Sequence, residues 1–249
     1  DPKAIMPYLK EIEQMGYHYF FMVTITPYDK DIEPNVRLKL EIIKTFIELS
    51  NLIGKNRIIW RYDPILLNEH YTIKFHLQMF EKMCQLLYKY TNTVIISFLD
   101  IYKNIINKFN ELSDEDVYLL ADNLGRIAKK YHLEIKTCSE KYHLEQYGIK
   151  KGSCLEKSYI EDLIGYPLDI KTNQNRTNCS CLASIDIGAY SCCNHGCLYC
   201  YACNHQLVAK NMANHDENSE MLLGYLTDHD KVIKRNVFSN KEKQLKFDF

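Results

Sequence analysis

Seven of the ten cysteines in this 249-residue chain fall in one short stretch, 179–203. Three of them, Cys193, Cys197 and Cys200, have the spacing CxxxCxxC. Thiolates at this spacing can each bind one iron of a [4Fe–4S] cube, and Gly196 lets the backbone turn tightly between them. Three ligands leave one iron without a protein ligand, so that iron can accept a small molecule. The spacing therefore predicts a [4Fe–4S] site on these three cysteines.

Two further cysteines, Cys179 and Cys181, form a CxC pair just upstream. They could bind a second metal ion or supply a fourth ligand to the cluster. A fourth protein ligand would close the open iron and favour an electron carrier. Alternatively, four cysteines of this stretch could bind zinc tetrahedrally as a structural staple, although CxxxCxxC is not a usual zinc spacing. The sequence therefore leaves three interpretations open, namely a second metal ion on the CxC pair, a fully ligated cluster in an electron carrier, and a structural zinc site.

The other three cysteines lie outside this stretch. Cys84 falls on the apolar stripe of a predicted helix, which is typical of a small buried side chain. Cys138 ends a predicted strand and could face a site, whereas Cys154 is isolated in the sequence. No signal peptide is visible, so the crowding of the other seven favours metal binding over disulfides and indicates a reducing, cytoplasmic compartment.

Strand-like and helix-like patterns alternate along the first part of the chain. Apolar runs predict strands at 19–26, 57–62, 93–99 and 133–137, and the segments between them repeat apolar residues at helical spacing. This alternation is typical of a parallel sheet. Four such units are half of an eight-stranded barrel, so we expect an α/β fold with a partial or truncated (βα) barrel. An open, doubly wound sheet is the second interpretation.

The regular pattern fades near residue 142, which indicates a change in organisation. We expect a βα-repeat, partial TIM-barrel-like region over residues 1–150. A cysteine-rich, cluster-binding segment and a C-terminal tail would follow over residues 151–249. A weak helical pattern lies at 219–226 in the tail. This end would form an appendage that closes over the sheet.

Polar side chains recur where the predicted strands end. The carboxyl ends of barrel strands are where such folds carry their active sites. An unpaired charge in a strand is costly, so Arg61 should either clamp a carboxylate group or pair with Asp63 or Asp100. Lys136 and Glu140 lie at the end of the fourth strand. Arg61, Asp63, Asp100 and Lys136 are the candidate catalytic residues.

The cysteine motif resembles that of radical S-adenosylmethionine (SAM) enzymes, because an aromatic residue, Tyr199, precedes its last cysteine. The resemblance implies that the amino and carboxylate groups of SAM chelate the open iron, and that one electron from the reduced cluster cleaves SAM to a 5′-deoxyadenosyl radical. It also implies a barrel, an electron donor, and contacts from Arg61 and Asp100 to SAM or substrate. In those enzymes the cysteine loop follows the first strand, whereas here it follows the predicted strands.

Longer runs resemble the DUF1848 family of proteins of unknown function. They are CSCLASIDIGAY at 179–190, CNHGCLYCYA at 193–202, TPY at 26–28, WRYDP at 60–64 and SFLD at 97–100. Members of that family usually begin with a further segment that carries a Ser-Arg-Arg-Thr-Asp-like motif. That motif is not present, and the chain does not begin with Met, so we expect that an N-terminal segment is missing.

Composition narrows the partners. The net charge is −1, which gives little support to nucleic-acid binding. No apolar run reaches the roughly 20 residues that span a bilayer, so no membrane partner is expected. The expected partners are a small-molecule cofactor and an electron donor, and the sequence does not identify a substrate.

Overall fold

Five parallel strands form one open sheet in the computed structural model, which describes residues 1–103, 105, 108–172, 180–236 and 238–242. The strands are β1 (Phe21–Thr24), β2 (Ile58–Ile65), β3 (Thr93–Phe98), β4 (Glu134–Cys138) and β5 (Lys150–Gly152). The helices are α1 (Leu9–Gln14), α2 (Lys39–Ile53), α3 (Ile73–Leu87), α4 (Asp114–Lys130), α5 (Lys157–Ile164) and α6 (His205–Ala213). Short 3₁₀ turns occupy Pro2–Ala4, Met6–Tyr8, Lys55–Arg57 and Glu145–Tyr147.

The strands lie in the sheet in the same order as in the chain, and each pairs in parallel with the next. This confirms the predicted α/β fold with parallel strands. A doubly wound sheet would reverse its strand order part-way across, and this sheet does not. The sheet is open over the described residues, so a closed barrel is not observed. β5 was not predicted, and it crosses residue 150, where the sequence analysis placed the boundary between the two regions.

Alternation along β2 separates the helix-covered face of the sheet from the other face. Trp60 and Tyr62 are fully buried in the main core, where α2, α3 and α4 contribute their apolar stripes. Trp60 stacks on Phe80 of α3, with ring centroids 5.2 Å apart, and its indole N–H donates to the carbonyl of Ile25 over 3.0 Å. Because successive side chains of a strand point to opposite faces, Arg61 lies on the other face.

Three of the helices, α3, α4 and α6, begin at a residue whose side chain caps the helix. Ser113 accepts a hydrogen bond of 3.1 Å from the backbone N–H of Asp116, and three acidic residues occupy the first turn of α4. Thr72 caps α3 in the same way. Cys84 is fully buried on α3, as its place on the apolar stripe predicted.

The tail differs from its predicted structure. The weak helix predicted at 219–226 is wrong, since this segment consists of turns and bends. Gly224 has a φ of +76° there, which is incompatible with a right-handed helix. The helix of the tail is α6, which Asn204 caps by accepting from the N–H of Gln206 over 3.1 Å. Within the described part of the chain, no helix combines the length and apolarity needed to cross a membrane.

A buried histidine links β2 to α3. His76 is fully buried, and its Nδ1 lies 2.9 Å from the hydroxyl of Tyr62. Its Nε2 lies 2.8 Å from the carbonyl of Leu66. A carbonyl can only accept, so Nε2 carries the proton and Nδ1 accepts from Tyr62. Burial lowers the pKa of His76 from 6.5 to about 4, so the folded state requires a neutral ring.

This histidine should make the fold acid-sensitive. Because its pKa is lower in the folded chain, His76 contributes stability that is complete above the unfolded value of 6.5 and is lost as the pH falls toward 4. We expect its contribution to the free energy of unfolding to fall by about 2 kcal/mol between about pH 7 and about pH 5. Urea titrations of wild type and His76→Gln should show a flatter pH dependence for the variant. The exposed His18→Gln serves as the control, and equal slopes for wild type and His76→Gln would contradict the assignment.

Candidate metal centre

The cysteine loop, defined as residues 193–200, lies at a cavity of about 1270 Å³. Its three motif cysteines, Cys193, Cys197 and Cys200, all line that cavity. Arg61 and Asp63, from the carboxyl end of β2, line it as well. The cysteine loop, which follows all five strands in the sequence, is therefore brought to the edge of the sheet where the strands end.

A turn that follows β1 holds the cysteine loop in place. The backbone N–H of Asn35 donates to the carbonyl of His195 over 3.1 Å, and the Asn35 amide donates to the carbonyl of Asn194 over 2.9 Å. The N–H of Leu198 donates to the carbonyl of Ile32 over 3.0 Å. These three hydrogen bonds fix the middle of the cysteine loop against residues 32–35, which we call the 32–35 turn.

Gly196 is required at the point of closest approach. Its φ of +69° lies in the left-handed region. A Cβ at this position would lie 3.3 Å from both the Asn35 amide nitrogen and Cγ of Pro34. Glycine is therefore required here both for its backbone conformation and for its lack of a side chain. The sequence predicted only the conformational requirement.

A buried carboxylate anchors the aromatic residue of the motif. Glu33 is 3% exposed, forms an ion pair with Lys39, and accepts hydrogen bonds from the hydroxyls of Thr26 and Tyr199. Burial and the negative charge of Glu33 hold the pKa of Tyr199 well above its usual range, so Tyr199 remains a hydrogen-bond donor. The ring of Tyr199 also packs 5.9 Å from that of Tyr28. This network fixes the residue between the last two cysteines of the motif.

The half-buried thiol of Cys197 is protonated at neutral pH when no metal is bound. Burial, then the charge of Glu33, raises the pKa of the Cys197 thiol to about 11. A metal that binds here must therefore displace a proton, as metals do when they convert a thiol to a thiolate ligand.

The spread of the motif sulfurs distinguishes two kinds of metal site. Thiolates around one tetrahedral zinc ion lie about 3.8 Å from one another, given Zn–S bonds of about 2.3 Å. Among the described residues, the three motif sulfurs do not form a group whose members all lie within 4.8 Å of one another. On a cube, each cysteine binds a different iron, so wider separations are required. Three thiols that line one cavity are a donor set that could hold a metal.

Arg61 forms one of the predicted ion pairs, with Asp63, but one N–H donor of its guanidinium lacks an acceptor among the described residues. Its guanidinium pairs with Asp63, and Asp63 also accepts from the hydroxyl of Ser97. Nε of Arg61 is buried and has no hydrogen-bond partner within the described part of the chain. A buried donor without a partner costs about 1–3 kcal/mol, so this atom is suited to an acceptor on a molecule in the cavity.

Two carboxyl groups at the cavity have perturbed acidity. Glu140 is buried and accepts from the N–H of Phe98 over 2.8 Å, and burial raises its pKa to about 7. Partial burial and the charge of Glu111 raise the pKa of Asp100. Both line the cavity, and a group that titrates near neutral pH can hold or release a proton there. The sequence placed Glu140 at a strand end, but it gave no sign of this burial.

Lys136, another candidate, is engaged elsewhere. Its ammonium lies 2.8 Å from Glu156 and 3.0 Å from Glu134. It is not among the residues that line the cavity. The ion pair with Glu156 joins β4 to the segment before α5, whereas the pair with Glu134 lies within β4.

A second group of cysteines appears that the sequence spacing did not predict. The sulfurs of Cys138, Cys154 and Cys181 all lie within 4.8 Å of one another. Cys181 was expected either to bind a second metal ion or to supply a fourth ligand to the cluster, and the structure places its sulfur beside the other two. Cys154 carried no signal because β5, the strand before it, was not predicted. Cys179 lies outside the described residues.

The comparison with protein families agrees with the sequence runs. A family model for a domain of unknown function, DUF1848, matches residues 1–202, which include the sheet and both groups of cysteines. The chain belongs to the DUF1848 family. A search of curated proteins finds no match. The function of this DUF1848 chain is therefore inferred from its own residues.

The fit between Gly196 and the 32–35 turn is testable with a matched pair of variants. Gly196→Ala and Gly224→Ala both place a side chain at positive φ, which costs about 1 kcal/mol each. A Cβ at Gly224 meets no atom within 4 Å, whereas at Gly196 it also meets Asn35 and Pro34. We expect only Gly196→Ala to loosen the cysteine loop and speed alkylation of Cys197.

The measurement is the rate of iodoacetamide labelling at Cys197 in the folded protein, followed by peptide mass spectrometry. Urea unfolding of both variants controls for the shared backbone strain. Equal labelling rates in the two variants would show that the contact with the 32–35 turn does not hold the loop.

Proposed function

We propose that this DUF1848 chain is an iron–sulfur protein that resembles radical SAM enzymes. It would bind a [4Fe–4S] cluster through Cys193, Cys197 and Cys200 and use SAM to start radical chemistry on a substrate that is not yet known. One observation carries the proposal: three thiols of one short loop line a single large cavity, and among the described residues their sulfurs do not all lie within 4.8 Å of one another.

The residues of the chain would divide the work at this cavity. When bound, the cluster would supply the electron that cleaves SAM reductively. The three cysteines hold it, and the 32–35 turn keeps their loop in position. Arg61, with its unpartnered Nε, is placed to bind a carboxylate such as that of SAM. Asp100, from the end of β3, is the second candidate for contact with SAM or substrate.

Proton handling would fall to Glu140. Its pKa of about 7 lets it donate or accept a proton at neutral pH, and it lines the same cavity as the cysteine loop. Asp63 is held by Arg61 and Ser97, so it serves to position Arg61. The expected partners are an electron donor and a small-molecule cofactor, in a reducing cytoplasmic compartment where the thiols stay free.

The strand order supports a partial barrel as the scaffold. Strands that follow one another in chain order, with helices between them, are the arrangement of a (βα) barrel. The cavity lies at the carboxyl ends of these strands, which is where barrel enzymes carry their sites.

The alternatives predict different signals. A structural zinc staple needs sulfurs close enough to share one ion, and the spread of the motif sulfurs argues against it. A four-cysteine electron carrier needs a further cysteine beside the motif. Of the two cysteines of the CxC pair, Cys181 lies with Cys138 and Cys154, and Cys179 lies outside the described residues.

The decisive experiment is anaerobic reconstitution with iron and sulfide, then electron paramagnetic resonance of the dithionite-reduced protein with and without SAM. We expect a [4Fe–4S]⁺ signal that changes when SAM is added, because the open iron gains ligands. Cys193→Ser, Cys197→Ser and Cys200→Ser should each lose the signal, whereas Cys192→Ser should keep it. A signal that ignores SAM would favour an electron carrier. Stoichiometric zinc with no iron uptake would favour the structural staple.

The role of Arg61 is tested separately with Arg61→Lys. Lysine keeps the charge but loses the planar fork of donors that binds a carboxylate. We expect about tenfold weaker SAM binding, or roughly 1.4 kcal/mol, with the cluster signal unchanged in the absence of SAM. The exposed Arg126→Lys on α4 is the control for the same chemical change. Unchanged SAM affinity in Arg61→Lys would remove this residue from the proposed binding site.

A further inference from the structure

We propose that Cys138, Cys154 and Cys181 form a second metal site, which binds one thiolate-preferring divalent cation of the zinc class. This site is distinct from the cysteine loop and does not depend on the function proposed for it. Cys138 and Cys154 line the same cavity as the cysteine loop.

The sheet and one backbone contact bring these three cysteines together. Cys138 ends β4 and pairs in register with Gly152 of β5, so Cys154 follows on the neighbouring strand at the same edge. Cys181 comes from a segment distant in sequence. The N–H of Leu182 donates to the carbonyl of Leu155 over 3.0 Å, which fixes Cys181 next to Cys154.

The sulfur positions match a single ion. Cys138 Sγ and Cys154 Sγ lie 2.9 Å apart, and both lie within 4.8 Å of Cys181 Sγ. A tetrahedral zinc ion holds its thiolates about 3.8 Å apart, so small shifts would complete the coordination. A cube would need the sulfurs to be farther apart, because each would bind a different iron.

The backbone around the site is shaped to bring the strand ends close. A Cβ at Gly152 would lie 3.0 Å from Cβ of Lys136 and 3.1 Å from the carbonyl of Thr137, so β5 approaches β4 only without a side chain there. Ser139 has a φ of +59°, a left-handed conformation that costs a non-glycine residue about 1 kcal/mol. This strained turn directly follows Cys138, and such strain concentrates at functional sites.

The surroundings suit a thiolate site with one exchangeable position. A divalent cation with three thiolates carries a net charge of −1, and Arg61 is near enough to Cys138 to act on it electrostatically. The three cysteines are half-buried, and thiolates are donors that zinc-class cations prefer. Three protein ligands leave a fourth position, and zinc sites with that position open bind water or substrate there. We infer that the fourth position opens on the cavity.

The test isolates this site in the full chain. A background variant, Cys193→Ser/Cys197→Ser/Cys200→Ser, removes the motif thiols. After exposure to Zn²⁺ and desalting, we expect about one zinc per chain by elemental analysis. Co²⁺ as an optical probe should give thiolate-to-cobalt charge-transfer absorption and the intense visible bands of a tetrahedral site.

Further substitutions in that background assign the ligands. Cys138→Ser, Cys154→Ser and Cys181→Ser should each weaken Co²⁺ binding by about 100-fold or more, since even loss of a supporting contact costs 10–100-fold. Cys192→Ser is the matched control and should leave binding unchanged. Circular dichroism identifies any variant that fails to fold, and three independent ligand variants keep the test valid if one is lost.

Three outcomes would overturn the proposal. They are no retained zinc in the folded background variant, unchanged cobalt binding in the three ligand variants, and a Cys138–Cys154 disulfide without metal in protein purified under reducing conditions. Because the motif cysteines are absent from this experiment, its result is independent of the SAM-dependent signal of the cysteine loop.

Discussion

The buried carboxylate of Glu33 is the interaction on which the arrangement of the cysteine loop depends. A charge in the interior is tolerated only when it is paired and hydrogen-bonded, and Glu33 takes its partners from three parts of the fold. Thr26 follows β1, Lys39 begins α2, and Tyr199 belongs to the cysteine loop. Removing any one of them would leave the carboxylate under-satisfied, so the sheet edge, the helix and the loop are coupled. The hydroxyl of Tyr199, which the motif alone would present as an aromatic spacer, is what connects the loop to this network.

The parallel sheet explains why residues distant in sequence meet at one cavity. Parallel strands send all their carboxyl ends to the same edge, so side chains after β1 to β5 converge whatever their separation along the chain. Arg61 lies on β2, Asp100 follows β3 and Glu140 follows β4, and all three line one cavity. The helix-covered face of the sheet is filled by Trp60, Tyr62 and the apolar stripes of the helices. Strand alternation therefore gives the sheet a packed, stabilising face, and parallel pairing brings the strand ends together at one functional edge.

The sequence predicted the parts of this fold that carry a strong periodic signal. β1 to β4 follow from runs of apolar residues. β5 was missed because Lys-Lys-Gly has no strand pattern; its partners in β4 and the close approach at Gly152 make it a strand. The three motif cysteines could be recognised from spacing, whereas Glu33 and Asn35 could not, because their importance comes from a loop more than 150 residues away. Long-range contacts of this kind leave no local pattern.

The two groups of cysteines show that closeness in sequence does not set closeness in space. Cys193, Cys197 and Cys200 are near neighbours in the chain, yet among the described residues their sulfurs do not all lie within 4.8 Å of one another. Cys138, Cys154 and Cys181 are spread over more than 40 residues, yet strand pairing and one backbone hydrogen bond bring their sulfurs together. Metal chemistry depends on distances between donors, and we propose a cluster of several irons for the first set and a single ion for the second. Two thiolate sites of different nuclearity on one cavity would place a redox centre and a Lewis acid within reach of the same bound molecule.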